Sequence, residues 1–505
     1  MYSRLLNGMR SALRHVQQSI TSDSPTESNQ ELGSEHNSIG TRNKELEVSS
    51  SDPSNTLVRQ LYVANMQGTK SDKQEPFDII SSIMSFRSIN HQFWWDRTGK
   101  QLAELLRHAG YIQSEQYTEL LFFAVHIIPE LGAAPDKSGH LQWRTPHTPD
   151  GTPLELSWEW GLEGKGTIRT GFEPIGPFAG TSTDPFNRHE TDAWIQHLES
   201  QGLVMGLNLE WYRHFTETIL PCKQTPPSEA DRMKLAKNDL FEVAPVGGTF
   251  VMRDIARSGP LVKAYMYPGL KAKELGISKS DVVFRAIRAL PAEQYESLTF
   301  EPLQKYLEEA TKKWNMEIHI FSFDLISPTK SRVKIYTRAP NTSLEYLMDA
   351  LTIGGRNDLS LYSKHVIQDV QDFWNIFTEG APDVLPQDGS ARGPGFYFTT
   401  QAGKIPTPKV YISPGPFCKN DMEVLARLRR YFSTRRDAER MLPQMDSYEK
   451  ALKAIYGAEY LEKTRDIHVY VSCALQKDQL RVVTYLCPQT LAREANAQKL
   501  CAASV

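Results

Sequence analysis

Four stretches of the chain place a cation two residues ahead of a tyrosine in β-type sequence. They are Lys263-Ala264-Tyr265-Met266-Tyr267, Arg332-Val333-Lys334-Ile335-Tyr336, Lys409-Val410-Tyr411 and His468-Val469-Tyr470. Residues two apart in a strand point to the same face. Each stretch therefore sets positive charge beside a phenol ring. Such a surface suits a polyanion held next to a carbocation, because a cation over an aromatic face gains roughly 0.5–2 kcal/mol. A single Lys-x-Tyr reads as a half-exposed strand with a solvated face. Four on successive strand pairs read differently. If their shared face lines a closed barrel, each unpaired cation costs several kcal/mol there, and an anion is what would hold it. Arg169, Lys263, Arg332, Lys334 and Lys409 can neutralise a diphosphate, which carries about three negative charges. Tyr265, Tyr267, Tyr336, Tyr411, Tyr470 and Tyr485 can shield an allyl cation from water. For Tyr267 and Tyr485, plain core packing explains the residue nearly as well.

Glu155 is an acid between apolar residues in Gly151-Thr152-Pro153-Leu154-Glu155-Leu156-Ser157-Trp158. Alternation puts Glu155 and Ser157 on one face and Leu154, Leu156 and Trp158 on the other. A buried carboxylate there can accept a hydrogen bond or proton from an indole N–H or a phenol and so enrich the ring in electrons. Glu159 suits the plainer role of a surface strand acid. Other chemistries lack their motifs. No Asp-Asp pair is present to hold a magnesium diphosphate, and neither HExxH nor GxSxG occurs. Gly161-Leu162-Glu163-Gly164-Lys165-Gly166-Thr167 has the wrong spacing for a P-loop.

The elements that must position these residues alternate between two kinds. Strand pairs are expected at 154–160 with 167–174, 249–255 with 261–267, 317–324 with 332–337, 395–400 with 409–412, and 467–475 with 480–485. Helical pattern fills 93–128, 186–218, 298–314, 344–376 and 422–456. The four cation-tyrosine stretches begin at 263, 332, 409 and 468, about 60 to 77 residues apart. Five such units give an α+β fold of ten antiparallel strands. Closing them into a barrel inside a ring of helices removes exposed strand edges and leaves an interior wide enough for a ligand.

The chain has 505 residues, 40% of them apolar and 23% charged, with a net charge of -3. That balance gives no global field for nucleic acid or an anionic membrane. No run approaches the roughly 20 apolar residues of a membrane span. Cys222, Cys418, Cys473, Cys487 and Cys501 are scattered without CxxC spacing. They argue against a disulfide framework or a zinc site and for a reducing compartment, the cytoplasm. Residues 1–75 read as a polar, disordered leader. Its first 22 residues hold Arg4, Arg10 and Arg14 and no acid. They fit either a short tail helix or a mitochondrial-like amphipathic segment. The folded part is 76–492, and 493–505 is a tail.

As a set these residues resemble the fungal aromatic prenyltransferases of the dimethylallyltryptophan synthase type. The resemblance spans about 76–490. It rests on Phe93-Trp94-Trp95 with Leu105 to Tyr111, Thr152-Pro153-Leu154-Glu155-Leu156-Ser157, Val262-Lys263-Ala264-Tyr265 with Pro268, and Asp324 with Ser331-Arg332-Val333-Lys334-Ile335-Tyr336. Pro408-Lys409-Val410-Tyr411 and Val469-Tyr470-Val471-Ser472 with Tyr485 complete it. It implies the ABBA barrel, dimethylallyl diphosphate as donor, a small aromatic acceptor and electrophilic substitution without a metal or other cofactor. It also implies that Glu155 activates the acceptor, that Arg169, Lys263, Arg332 and Lys334 contact diphosphate, and that Tyr265, Tyr336, Tyr411, Tyr470 and Tyr485 form the shield. Lys409 stands where members vary between Gln and Lys. Several members acting on free tryptophan carry a Lys after an Asp-Leu pair on the strand before the Lys263 strand. Here Asp254-Ile255 is followed by Ala256 and Arg257, which weakens the case for attack at tryptophan C4. An indole acceptor in secondary metabolism is the leading expectation. A phenolic or polyketide acceptor, or a non-catalytic barrel that binds an isoprenoid diphosphate, is the alternative. The sequence leaves open a homodimer.

Overall fold

A computed structural model of the chain describes residues 75–136, 139, 141–161, 163–222, 247–386, 393–476 and 478–493. The expected leader, up to residue 74, and the expected tail, from 494 on, lie outside the described residues. The chain divides into two units between Ser85 and Phe86. In the first, the helix Pro76–Ile83 opens with a proline, whose missing N–H would have no partner in a first turn anyway. The second unit carries the barrel.

Its strands are β1 (Leu154–Glu159), β2 (Thr167–Phe172), β3 (Thr249–Ile255), β4 (Leu261–Met266), β5 (Glu317–Asp324), β6 (Arg332–Arg338), β7 (Gly395–Gln401), β8 (Thr407–Ile412), β9 (His468–Leu475) and β10 (Leu480–Leu486). They pair antiparallel in chain order, and β1 closes on β10. This is the ten-stranded barrel the alternation predicts. Most outward residues of the strands are apolar and pack on the helices, and the outward Arg253 of β3 pairs with Glu119 of the helix Gln113–Phe122. Trp158 meets Tyr448 of the helix Ala438–Tyr456, and Phe172 meets Trp194 of the helix His189–Gln201. Phe321 and Phe323 meet Phe215 of the helix Glu210–Ile219. Each large apolar side chain so buried contributes roughly 1.5–3 kcal/mol.

Helix boundaries depart from the periodicity. The 344–376 pattern breaks after Leu351, where Ile353, Gly354 and Gly355 all adopt positive φ, and the helix resumes at Lys364–Phe377. The helices Gly269–Leu275, Lys279–Arg288 and Ala292–Ser297 fall in sequence that the periodicity left unassigned. Among the described residues, no helix is long and apolar enough to cross a membrane.

The five hairpin connections, β1–β2, β3–β4, β5–β6, β7–β8 and β9–β10, necessarily lie at one end of the barrel. A cation near the start of β4, β6 or β8 therefore sits near that end. The tyrosine two residues later sits one layer deeper. The fourth expected stretch does not obey this rule. His468 and Tyr470 are on β9, which runs toward the hairpin end, and the returning strand β10 carries Arg481 and Tyr485 instead. A register shift between Tyr485 and Leu486, opposite Tyr470 and His468, also turns His468 out of the lumen, as a bulge does. His468 joins β9 to the helices. Its Nδ1 donates to Asp421 Oδ1 at 2.7 Å, and its Nε2 accepts from the Tyr448 hydroxyl at 2.9 Å. Asp421 also accepts the backbone N–H groups of Ile467 and His468. Asp421→Ala strands these buried donors and should cost about 3 kcal/mol in urea unfolding, with pyrophosphate affinity unchanged. Wild-type stability in that variant would refute the role.

Candidate active site

The inward residues fall into layers along the barrel axis. Nearest the hairpins is a layer of charge. Asp254 on β3 receives Lys263 Nζ at 2.5 Å and lies 3.0 Å from Arg169 Nε. Asp324 on β5 receives Arg332 Nε and Lys334 Nζ, each at 2.6 Å. Glu159 receives both Arg169 and Arg481. The five expected diphosphate residues are thus together, but four of them are paired with carboxylates rather than waiting for an anion. Glu159 is not the surface acid its place near the end of a strand suggests. It faces inward as a partner of two arginines, because it continues the 155-157-159 alternation.

Lys409 differs from the other cations. Among the described residues no carboxylate lies within ion-pair distance of it. Its Nζ sits 5.1 Å, 5.6 Å and 5.8 Å from the ring centres of Tyr411, Tyr397 and Tyr485. When all are charged, six cations (Arg169, Lys263, Arg332, Lys334, Lys409, Arg481) face three carboxylates (Glu159, Asp254, Asp324), a surplus of three.

Burial and pairing act against each other in this layer. Burial pushes Lys263 down to about 8 and Lys334 to about 7, although Asp254 and Asp324 pull the other way. Burial, then Arg481 and Arg169, push Lys409 well below the ordinary lysine range. Burial raises Asp254, but Lys263 and Arg169 outweigh it and hold the carboxyl at about 2. An anion in the layer should raise the lysines again, so pyrophosphate binding at pH 8 should take up protons, measurable by calorimetry in buffers of different ionisation heat. Lys409→Met should raise the thermal midpoint of the empty protein, since it removes a buried amine that has the Tyr485 hydroxyl at 3.5 Å but no carboxylate beside it, and weaken pyrophosphate binding roughly 30-fold or more. An unchanged midpoint with unchanged affinity would contradict this account.

One layer deeper are the rings. Tyr265, Tyr336 and Tyr411 form a chain with centres 6.0 Å and 5.8 Å apart. Tyr411 lies 5.7 Å from Tyr470 and 5.4 Å from Tyr485. Burial pushes the hydroxyls of Tyr265, Tyr336 and Tyr411 well above the ordinary phenol range and that of Tyr485 to about 12. These rings are therefore neutral at pH 7 and offer π-faces rather than phenolates. Tyr267 stands apart, just beyond the end of β4, and reaches the cluster through Phe250, which is 5.7 Å from it and stacks on Tyr265 at 4.3 Å.

Beyond the rings lies a cavity of about 230 Å³, whose wall includes Glu155, Phe250, Tyr267, His147 and Arg338 together with the tyrosines. The Glu155 side chain is 5% exposed, and burial pushes its carboxyl well above the ordinary range. Glu155 precedes Glu159 by four residues on β1, about 13 Å along the strand, and is two residues from Ser157, the cross-strand partner of Arg169.

Sequence reasoning missed Arg481, Tyr397 and His147. Stepping back by twos from Tyr485, and across the ladder from Tyr336 and Lys409, would have found Arg481 and Tyr397. His147 precedes β1 in a segment without periodicity, so no pattern marked it. Ala256 stands directly after Asp254-Ile255, where some members have lysine, and the next residue, Arg257, lies outside the lumen. It covers the Tyr111 ring at 4.1 Å and donates to the carbonyls of Gly166 and Ala109. Among the described residues, no group of three His, Cys, Asp or Glu is placed to hold a metal ion.

The chain is similar to known proteins. The chain is 29% identical over 428 residues to a tryptophan dimethylallyltransferase of Arthroderma otae, covering 81% of this chain and 90% of that protein. It is 26% identical over 411 residues to a 4-O-dimethylallyl-L-tyrosine synthase of Claviceps purpurea, covering 79% and 88%. The crystal structure of AnaPT from Neosartorya fischeri superposes with a TM-score of 0.68 at 23% identity, covering 82% of this chain and 98% of that one, and so shares the ABBA barrel. The family model described as tryptophan dimethylallyltransferase matches residues 90–451. With barrel, layered lumen and family match in agreement, the chain belongs to the tryptophan dimethylallyltransferase family and is an aromatic prenyltransferase.

Proposed function

We propose that this enzyme transfers the dimethylallyl group of dimethylallyl diphosphate to an indole ring, in secondary metabolism, without a metal ion. The observation that carries the reading is the order of the layers: charge, then neutral rings, then a cavity walled by a buried carboxyl. The diphosphate lies in the charge layer, where the surplus of three matches its charge without a divalent cation. The donor C–O bond breaks, and its electron pair leaves with the diphosphate toward Lys263, Lys334, Arg169, Arg332, Lys409 and Arg481. The allyl cation remains among Tyr265, Tyr336, Tyr411, Tyr470 and Tyr485, where π-faces stabilise it and water is excluded. Tyr267 walls the acceptor side. Glu155 accepts the indole N–H, which raises electron density in the ring that attacks. A C–C bond forms, the ring C–H bond breaks, and that proton passes to the departed diphosphate, which restores the aromatic ring. Arg257, engaged outside the lumen, takes no part, which favours a ring position other than C4. Buried free thiols at Cys418, Cys473 and Cys487 suit a reducing cytoplasm.

The test is incubation of the purified chain with dimethylallyl diphosphate, excess EDTA and a panel of indoles and phenols, with products followed by mass. A dimethylallyl adduct on an indole with EDTA present is the expected result. Adducts confined to phenols would overturn the acceptor class. Activity only after magnesium is added would overturn metal independence. No adduct with pyrophosphate still bound would point to a barrel that only binds.

A further inference from the structure

His147 sits in the acceptor cavity beside Glu155 and has no part in the reaction as described so far. Its side chain is 6% exposed. Its Nε2 is buried with no hydrogen-bond partner and lies 3.9 Å from Glu155 Oε1. The ring packs against Phe250, with centres 4.1 Å apart. Space for it is provided by Gly171. That glycine pairs with Glu155 across β1 and β2, and a Cβ there would lie 3.2 Å from His147 Nε2. A glycine facing the carboxyl thus admits an imidazole whose free nitrogen is directed at that carboxyl.

We propose that His147 is a positioning residue that takes up the proton of Glu155 when an aromatic acceptor docks, so that the acceptor meets a carboxylate. The inference rests on the proposed function. The Oε–H bond of Glu155 breaks, the Nε2–H bond of His147 forms, and no electrons or other groups move. Burial opposes charge on either group alone. It holds the imidazole down at about 3 and the carboxyl well up. Transfer between them adds no net charge to the cavity, and the two charges form side by side. The incoming N–H then donates to the new carboxylate. Among the described residues, the other buried acid near this wall is Glu173, two residues beyond Gly171 on the β2 side; burial raises its carboxyl to about 7, and Asn187 and Trp143 donate to it. Phe250, Met252 and Gly171 are the other neighbours from β3 and β2. The nearby phenols of Tyr267 and Tyr485 are held neutral by burial. Arg338, His319 and Lys279 belong to the opposite side of the cavity.

The test reads the pair without turnover. In protein labelled with carboxyl-¹³C glutamate, Glu155 is assigned by its loss in Glu155→Gln, and its titration midpoint is compared between wild type, His147→Phe and His147→Gln. Removing the proton acceptor should raise the midpoint by about one pH unit or more. Pyrophosphate binding reports that each variant is folded. An unchanged midpoint in both variants overturns the inference. With dimethylallyl diphosphate and L-tryptophan as acceptor probe, kcat of His147→Gln at pH 7 should fall roughly 100-fold, with the donor KM unchanged and a rate that rises with pH. A wild type that prenylates no acceptor would defeat the proposed function, while the ¹³C titration would still read the pair.

Discussion

Glu155→Gln should lower kcat by a factor of about 10² to 10⁴ and leave pyrophosphate affinity within about twofold. Glutamine keeps the size and a hydrogen-bond acceptor, so the cavity stays filled and the acceptor can still dock. What is lost is the negative charge that the developing positive charge on the ring requires. Glu155 lies about 13 Å along β1 from Glu159 and takes part in none of the ion pairs of the charge layer, so diphosphate binding should change little. Single-turnover rates and pyrophosphate calorimetry on the same preparation separate the two effects. Equal losses in both would mean that Glu155 supports the barrel as a whole, and turnover within threefold of wild type would remove it from the chemistry.

Asp324→Asn should have the largest effect on stability. Asp324 receives Arg332 and Lys334 while almost fully buried. Removing its charge leaves both cations without their counter-ion, a loss of about 3–5 kcal/mol. An anion can replace the lost carboxylate, so pyrophosphate should raise the thermal midpoint of the variant more than that of the wild type. The same pairing sets an acid limit. Lys334, Arg332 and Lys263 outweigh burial and hold Asp324 far below its ordinary range, as Lys263 and Arg169 do for Asp254 at about 2. Carboxylates depressed in this way contribute stability that is fully present above the unfolded value of about 4 and is lost as pH falls toward 2. Wild-type urea midpoints should drop through that window, and the drop should be smaller in Asp324→Asn. A variant as stable as wild type at pH 7 would mean that the cations find other partners.

The barrel was legible because its signal is local. Strand alternation fixes which residues share a face, and hairpin order fixes which end they approach. Those two facts bring Lys263, Lys334, Lys409 and the tyrosines together with Glu155. Pairing partners were less legible. Asp324 and Asp254 neutralise the lysines across strands, and cross-strand register depends on hairpin lengths that a propensity reading does not give. Glu159 was misread for a simpler reason: its alternation with Glu155 was visible, but an acid at a strand end is so often solvated that the pattern carried little weight. His468 shows the limit of the two-residue rule, since a bulge shifts phase and sends the imidazole to the helices. His147 had no periodic context at all.

The placement of Lys409, beside the Tyr485 hydroxyl with no carboxylate near it among the described residues, has a kinetic consequence. A site whose surplus charge suits a diphosphate ester suits free pyrophosphate at least as well, because hydrolysing or transferring the ester removes no negative charge from it. The leaving group is therefore retained by the same cations that promoted its departure. Free pyrophosphate should thus compete with the donor for the charge layer and inhibit turnover as a product.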